Sequence, residues 1–183
     1  MEEEIYKVYK HNPPHLFRPN GKYFITGAIY KKEKLLKVSD SKEKFINSLL
    51  KACDNFDWTL EDWVILDNHY HIMLSAPEDV SDLSKLVQEV HKFVALWIKK
   101  NIKESTEFQR IFQNYWDTCI TNERSYCARL NYIYFNPVKH GYVDFPDKYE
   151  FCSYIHRLKM EKSILEELRN KYPWEGITIE DDF

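Results

Sequence analysis

Two histidines one residue apart, His69 and His71, stand in the run Trp63-Val64-Ile65-Leu66-Asp67-Asn68-His69-Tyr70-His71-Ile72-Met73-Leu74. The apolar residues on both sides of Asp67-Asn68 favour extended chain, and Asx pairs accept the dihedrals of short turns, so the run reads as a tight β-hairpin. Side chains alternate faces along a strand, which sends both imidazoles one way and Tyr70, Ile72 and Leu74 the other. Two imidazoles on a rigid strand are half of a metal site and need a third ligand from elsewhere. The segment from Tyr126 to Pro137 offers one. Wound as a helix, it carries Tyr126, Leu130 and Ile133 as a core stripe and Arg129, Tyr132 and Asn136 on a different, polar side. The amide oxygen of Asn136 suits a hard divalent ion, Mg²⁺ or Mn²⁺, and with two imidazoles it leaves positions open for a phosphate oxygen. Tyr132, one turn away, is then placed to attack that phosphate.

The elements that must position these groups follow from pattern. Asn12-Pro13-Pro14 and Pro19-Asn20-Gly21 mark residues 1–21 as an irregular extension. Residues 22–30 are a strand rich in aromatic and β-branched side chains, followed by a lysine-rich loop. Ser41 caps a helix with Phe45, Ile46, Leu49, Leu50 and Cys53 at helical spacing, ending near Asn55. The hairpin spans about residues 58–76, and Pro77-Glu78-Asp79 closes it. Ser81 opens a second helix, with Leu83, Leu86, Val87, Val90, Val94 and Trp97 on one side, reaching Asn101. A strand over 115–120 completes β-α-β-β-α-β. That order gives an α+β fold of the ferredoxin-like (RRM-like) type, an antiparallel sheet with both helices on one face and the other left free for chemistry. Asn122 or Ser125 caps the additional helix carrying Tyr132, which Pro137 halts near Phe135. A loop over 138–150 and one or two short helices with Tyr154, Leu158, Ile164, Leu165 and Leu168 come last. The expected division is an N-terminal extension over 1–21, one domain over 22–155, and a helical extension with an acidic tail over 156–183.

Composition is that of an ordinary globular chain, 44% hydrophobic and 30% charged, with a high aromatic share of 16%. The net charge of −3 is unevenly spread. Seven of the 29 acids are Glu2, Glu3, Glu4, Glu175, Glu180, Asp181 and Asp182, so 22 acids face 26 basic groups in the rest of the chain. Basic clusters stand at Lys31, Lys32, Lys34 and Lys37 and at Lys92, Lys99, Lys100 and Lys103, compatible with phosphate contact. Cys53, Cys119, Cys127 and Cys152 lack the spacing of a zinc knuckle and read as reduced thiols. No apolar run is long enough to cross a bilayer, and Met1-Glu2-Glu3-Glu4 is the reverse of a signal peptide, so a cytoplasmic protein without membrane contact is expected.

Leu66-Asp67-Asn68-His69-Tyr70-His71 paired with Tyr132-Ile133-Tyr134-Phe135-Asn136-Pro137-Val138-Lys139-His140-Gly141-Tyr142-Val143 resembles the REP-associated tyrosine transposases, a branch of the single-tyrosine transposases among the HUH endonucleases. The likeness covers roughly residues 22–155. It implies that His69 and His71 hold a divalent metal with Asn136 as third ligand, and that Tyr132 is the nucleophile. The activity it implies is cleavage and rejoining of single-stranded DNA through a 5′-phosphotyrosine link, next to hairpins of the REP palindrome type, by a monomer or homodimer. Arg129, Lys139 and His140 beside the motif are candidate phosphate contacts, and Tyr23, Tyr30 and Trp116 candidate stacking surfaces for bases. Two departures stand out. Asp67 occupies a turn position where relatives often have proline, which is expected to matter little. Phe112-Gln113-Asn114-Tyr115-Trp116 lacks the arginine common in relatives, which leaves the recognised DNA sequence open. Two other functions compete: a domesticated DNA or RNA hairpin-binding module that no longer cuts, and a metal-dependent or two-histidine phosphoesterase. The two-histidine kind needs two His-x-Thr/Ser motifs, and neither His69-Tyr70-His71 nor His71-Ile72-Met73 supplies one.

Overall fold

The computed structural model describes residues 6–7, 15–16, 18–78 and 83–172. Two short strands, β1 (Tyr6–Lys7) and β2 (His15–Leu16), pair antiparallel within the segment expected to be irregular. Then come β3 (Lys22–Ala28), α1 (Ser39–Asn55), β4 (Thr59–Ile65), β5 (His69–Ser75), α2 (Leu83–Asn101), β6 (Trp116–Ile120), α3 (Glu123–Lys139) and α4 (Tyr154–Lys171). The main sheet is antiparallel in the order β4-β5-β3-β6, the expected β-α-β-β-α-β arrangement. Among the described residues no helix is long and apolar enough to cross a membrane. All four cysteines are free thiols.

Period-two alternation divides the sheet between two cores. Tyr23, Ile25, Tyr70, Ile72 and Leu74 pack with Phe45 and Leu49 of α1 and Leu86, Val90 and Val94 of α2. Phe24, Val64 and Met73 point the opposite way and pack with Leu130, Tyr132 and Ile133 of α3 and Leu165 of α4. The second face is therefore covered rather than open, and the histidines of β5 lie beneath that cover. Sandwiched between sheet and α4, α3 is buried without interruption from Leu130 to Pro137, so its polar stripe is inside.

Several boundaries differ from expectation for identifiable reasons. Helix α1 starts at Ser39, and Ser41 is buried inside it, donating its hydroxyl to the Val38 carbonyl at 2.6 Å rather than capping a terminus. The expected cap Ser81 lies outside the described residues, as do Asp79 and the acidic tail. Asn122 is the cap of α3, its side chain accepting from Ser125 N–H at 2.9 Å. Pro137 does not halt α3, which runs on to Lys139. The carbonyl that proline cannot engage, that of Ile133, receives the Cys152 thiol at 3.8 Å instead. Beyond the cap residue His140, Gly141, whose φ of +71° favours glycine, terminates the helix, with Tyr142 N–H on Pro137 O and Gly141 N–H on Val138 O closing a Schellman motif. The expected short C-terminal helices are one 18-residue helix, α4.

Asp67 matters more than its turn position suggested. Its carboxylate accepts from the buried Lys42 ammonium at 2.7 Å, tying the hairpin tip to α1. On the other side of the sheet Asp62, fully buried, accepts from Tyr134 Oη at 2.9 Å, Ser153 Oγ at 2.8 Å and Arg157 Nη2 at 2.8 Å, joining β4, α3 and α4. Asp62→Ala leaves a guanidinium and two hydroxyls without their acceptor, and a loss of about 3–5 kcal/mol in urea unfolding is expected. A loss under about 1 kcal/mol would show that water replaces the carboxylate.

Helix α2 carries one half-buried histidine, His91, with a sharp pH consequence. Gly27 lies opposite Tyr70, and a Cβ there would collide with the tyrosine ring. Tyr70 Oη meets His91 Nε2 at 2.8 Å, and His91 stacks on Phe112. Burial pushes the His91 imidazole down to about 3. Because the unfolded chain takes up that proton near pH 6.5, stability is retained above this pH and lost as pH falls from there towards 3, at about 1.4 kcal/mol per pH unit. The urea midpoint should drop between pH 6.5 and 5, and less steeply in His91→Gln; parallel drops in both would refute the assignment.

Candidate active site

The hairpin turn brings the first ligands into place. Leu66 N–H donates to the His69 carbonyl at 2.8 Å across Asp67-Asn68, so His69 opens β5 and His71 follows on the same face. Each imidazole is oriented from behind. His71 Nδ1 pairs with Thr26 Oγ1 at 2.8 Å across the β3–β5 register, and His69 Nδ1 pairs with Asn68 Oδ1 at 2.7 Å. Asn68 in turn donates its amide to the Lys32 carbonyl at 3.3 Å, which fixes its oxygen towards His69. Since that oxygen can only accept, His69 Nδ1 donates and Nε2 carries the lone pair.

Helix α3 supplies the rest. Asn136 Oδ1 lies 3.3 Å from His69 Nε2, so two acceptors face each other as the geometry stands. His71 Nε2 and Asn136 Nδ2 are buried without a hydrogen-bond partner. Burial holds His71 well below the ordinary imidazole range, helped by the neighbouring His69, His140 and Lys139, so it stays neutral and able to ligate. Facing acceptors with an orphaned imidazole nitrogen beside them fit a cation bound by His69, His71 and Asn136. Among the described residues no three His, Cys, Asp or Glu side chains gather for a metal, so a third donor beside the two imidazoles would be the Asn136 amide.

Tyr132 lies against the histidines, its ring edge-on to His71 at 5.0 Å between centroids and edge-on to Phe24 at 6.4 Å. Lys139 Nζ donates to Tyr132 Oη at 3.4 Å and sits 4.9 Å from the ring centre. The His140 ring packs edge-on against His69 at 4.8 Å between centroids, so this phosphate-contact candidate adjoins the histidine pair. Arg129, half-buried, donates to Ser125 Oγ and covers the Phe24 ring. His69, His71, Tyr132 and Asn136 are each at most 2% exposed, with the half-buried Lys139 and His140 beside them.

The stacking candidates separate. Trp116 is 42% exposed and pairs with Thr26, on the side of the sheet that carries His71. Tyr30 has Lys31 and Arg110 over its ring. Tyr23 is not available to a base: strand alternation buries it with Ile25 under α1 and α2, its hydroxyl accepting from Arg18 N–H at 2.7 Å. Sequence reasoning missed Thr26 and Asn68. Asn68 adjoins His69 in the chain, but Thr26 is found only through the pairing of β3 with β5.

A family model described as "Transposase IS200 like" matches residues 20–134. The chain belongs to the IS200-like transposase family. The match includes His69, His71 and Tyr132 and stops before Asn136. Among curated relatives of this chain, a REP-associated tyrosine transposase of Escherichia coli is 30% identical over 112 residues, 61% of this chain and 62% of that one. A protein of Haemophilus influenzae, provisionally named a REP-associated tyrosine transposase, is 26% identical over 79% of this chain and 86% of its own. Both agree with the resemblance carried by the two motifs. The fold is similar to that of a REP-associated tyrosine transposase solved with a REP hairpin, at a TM-score of 0.65 and 22% identity, covering 97% of this chain and 94% of that one.

Proposed function

We propose that this transposase is a divalent-metal-dependent nuclease and strand transferase for single-stranded DNA beside a hairpin, working in the cytoplasm through a covalent tyrosine intermediate. The observation that carries the reading is the approach of Asn136 Oδ1 to His69 Nε2 at 3.3 Å, with the orphaned Nε2 of His71 on a ring 5.2 Å away and the Tyr132 ring edge-on to it. His69, His71 and Asn136 would hold Mg²⁺ or Mn²⁺, which when bound supplies Lewis-acid polarisation of a phosphodiester.

The chain's own groups do the rest. Thr26 and Asn68 fix the tautomers and ring orientations of the ligands. The Lys139 ammonium stabilises negative charge developing on Tyr132 Oη as the phenolic proton passes to solvent. Tyr132 Oη forms a bond to phosphorus while the bond from phosphorus to the 3′ oxygen breaks, and that oxygen takes up a proton. A 5′-phosphotyrosine and a free 3′-hydroxyl result. Attack by a 3′-hydroxyl on the phosphotyrosine reverses the exchange and rejoins strands without ATP, since the bond energy is kept in the intermediate.

The test is to incubate the chain with labelled hairpin oligonucleotides bearing single-stranded flanks, with Mn²⁺ or Mg²⁺, and to look for an adduct that survives denaturation. Adduct formation should stop in EDTA and return on adding metal in excess. Hairpin binding with no adduct under either metal would reject cleavage in favour of a non-cutting binding module.

A further inference from the structure

Two of the three ligand candidates stand at the ends of their elements. His69 is the first residue of β5, straight after the turn, and Asn136 lies in the last turn of α3. Element ends are where a backbone opens most easily. A divalent ion nevertheless accepts little spread in the spacing of its ligands, so one end has to be held against the other.

Asp67, inside the turn, is in contact with both sides. Its carboxylate accepts from Lys42 Nζ at 2.7 Å, and Lys42 also donates to the Lys37 carbonyl at 3.2 Å and stands 5.5 Å from the Phe151 ring centre. The Asp67 carbonyl accepts from Leu36 N–H at 2.9 Å. A further partner comes from beyond α3. Tyr142 is fixed to the residue after Asn136, its N–H donating to the Pro137 carbonyl at 2.9 Å. The Tyr142 hydroxyl hydrogen-bonds Asp67, and burial together with that carboxylate pushes its ionisation upward. Tyr149, edge-on to Tyr142 at 5.7 Å, donates its own hydroxyl to the Ile65 carbonyl at 2.8 Å. Two tyrosines that follow α3 thus grip the hairpin on either side of Leu66. A buried ion pair such as Lys42 with Asp67 adds little net stability over apolar side chains of equal volume, but it accepts one arrangement only.

We propose that Asp67 is a positioning residue of the metal centre: gripped by Lys42 and Tyr142, it locks the turn that presents His69 to the end of the helix that presents Asn136. The inference deepens the metal reading and rests on it. A carboxylate serving the fold alone changes stability when removed; a positioning carboxylate changes metal affinity out of proportion to stability.

The experiment measures Mn²⁺ affinity of the full chain without DNA, by electron paramagnetic resonance of the free ion, together with urea unfolding in EDTA. The parent is compared with His69→Ala, Asp67→Ala, Tyr142→Phe, the double variant Asp67→Ala/Tyr142→Phe, and Val90→Ala, a truncation in the core on the other face of the sheet. Binding in the parent should disappear in His69→Ala. Asp67→Ala and Tyr142→Phe should each weaken Mn²⁺ binding about tenfold or more, as expected of partners behind a ligand. The double variant should bind no more weakly than Asp67→Ala, because both changes cut the same linkage. Val90→Ala should lower the unfolding midpoint at least as far as Tyr142→Phe does, yet keep Mn²⁺ affinity within about twofold. Tyr142→Phe removes a single oxygen from a half-buried side chain and decides the matter should Asp67→Ala fail to fold. Parent-like binding in Tyr142→Phe, multiplying losses in the double variant, or an equal loss in Val90→Ala overturns the assignment and leaves the metal reading standing. Binding that is absent from the parent or indifferent to His69→Ala removes the metal reading and this inference with it.

Discussion

Tyr132→Phe is expected to abolish the covalent protein–DNA adduct, a drop of at least about 10³-fold, while leaving hairpin affinity and unfolding midpoint nearly unchanged. The contact of the hydroxyl with Lys139 is long, 3.4 Å, so losing that contact costs little in folding. Tyr132 is nevertheless the phenol beside the metal-ligand candidates. Tyr134, two residues along α3, commits its hydroxyl to Asp62, and burial pushes its ionisation upward. Tyr126 donates to Glu61 and is shifted upward for the same reason. Neither is poised to take over, and peptide mapping of the wild-type adduct should find the nucleotide on Tyr132 alone. Lys139→Met should slow adduct formation about tenfold or more without stopping it, because it removes charge stabilisation and leaves the nucleophile. Adduct persisting in Tyr132→Phe at wild-type levels would move the chemistry to another residue.

How much of this site could be read from the chain depends on whether the determinant is local. The hairpin was legible because an apolar run, an Asx pair and a second apolar run dictate it without help, and alternation alone puts His69 and His71 together. The i, i+3, i+7 relation of Arg129, Tyr132 and Asn136 was equally local. What local pattern misjudged was the environment of that stripe: polar residues on a helix normally face water, yet here α4 occupies the outer side and the stripe turns inward onto the sheet. The same packing explains Pro137, which near the end of a buried helix forfeits one hydrogen bond and is tolerated because Cys152 approaches the abandoned carbonyl. Thr26 and Lys42 depend on strand register and on the docking of α1, long-range facts that no window of sequence contains. Tyr23 was misread for a related reason: aromatic character suits a base or a core equally, and the register decides for the core.

Asn136→Leu is expected to lower divalent-ion affinity and adduct yield by on the order of a hundredfold or more, while the metal-free chain keeps its stability within about 1 kcal/mol. A buried amide that served the fold would have both its donor and its acceptor satisfied. Asn136 is fully buried with its Nδ2 unpartnered and its oxygen turned to the lone pair of His69 Nε2, an arrangement poor for folding and good for ligation. Leucine has nearly the same volume, removes the orphaned donor and sacrifices one long contact, so the two stability effects largely cancel. Titration calorimetry with Mn²⁺ and urea unfolding in EDTA separate the alternatives. If stability collapses together with metal affinity, Asn136 is a structural residue and the site has only two protein ligands. If affinity falls while stability holds, and Asn136→Asp recovers binding through its carboxylate oxygen, the amide is the third ligand, and the poor hydrogen bonding of this buried side chain is the cost of keeping a coordination position ready.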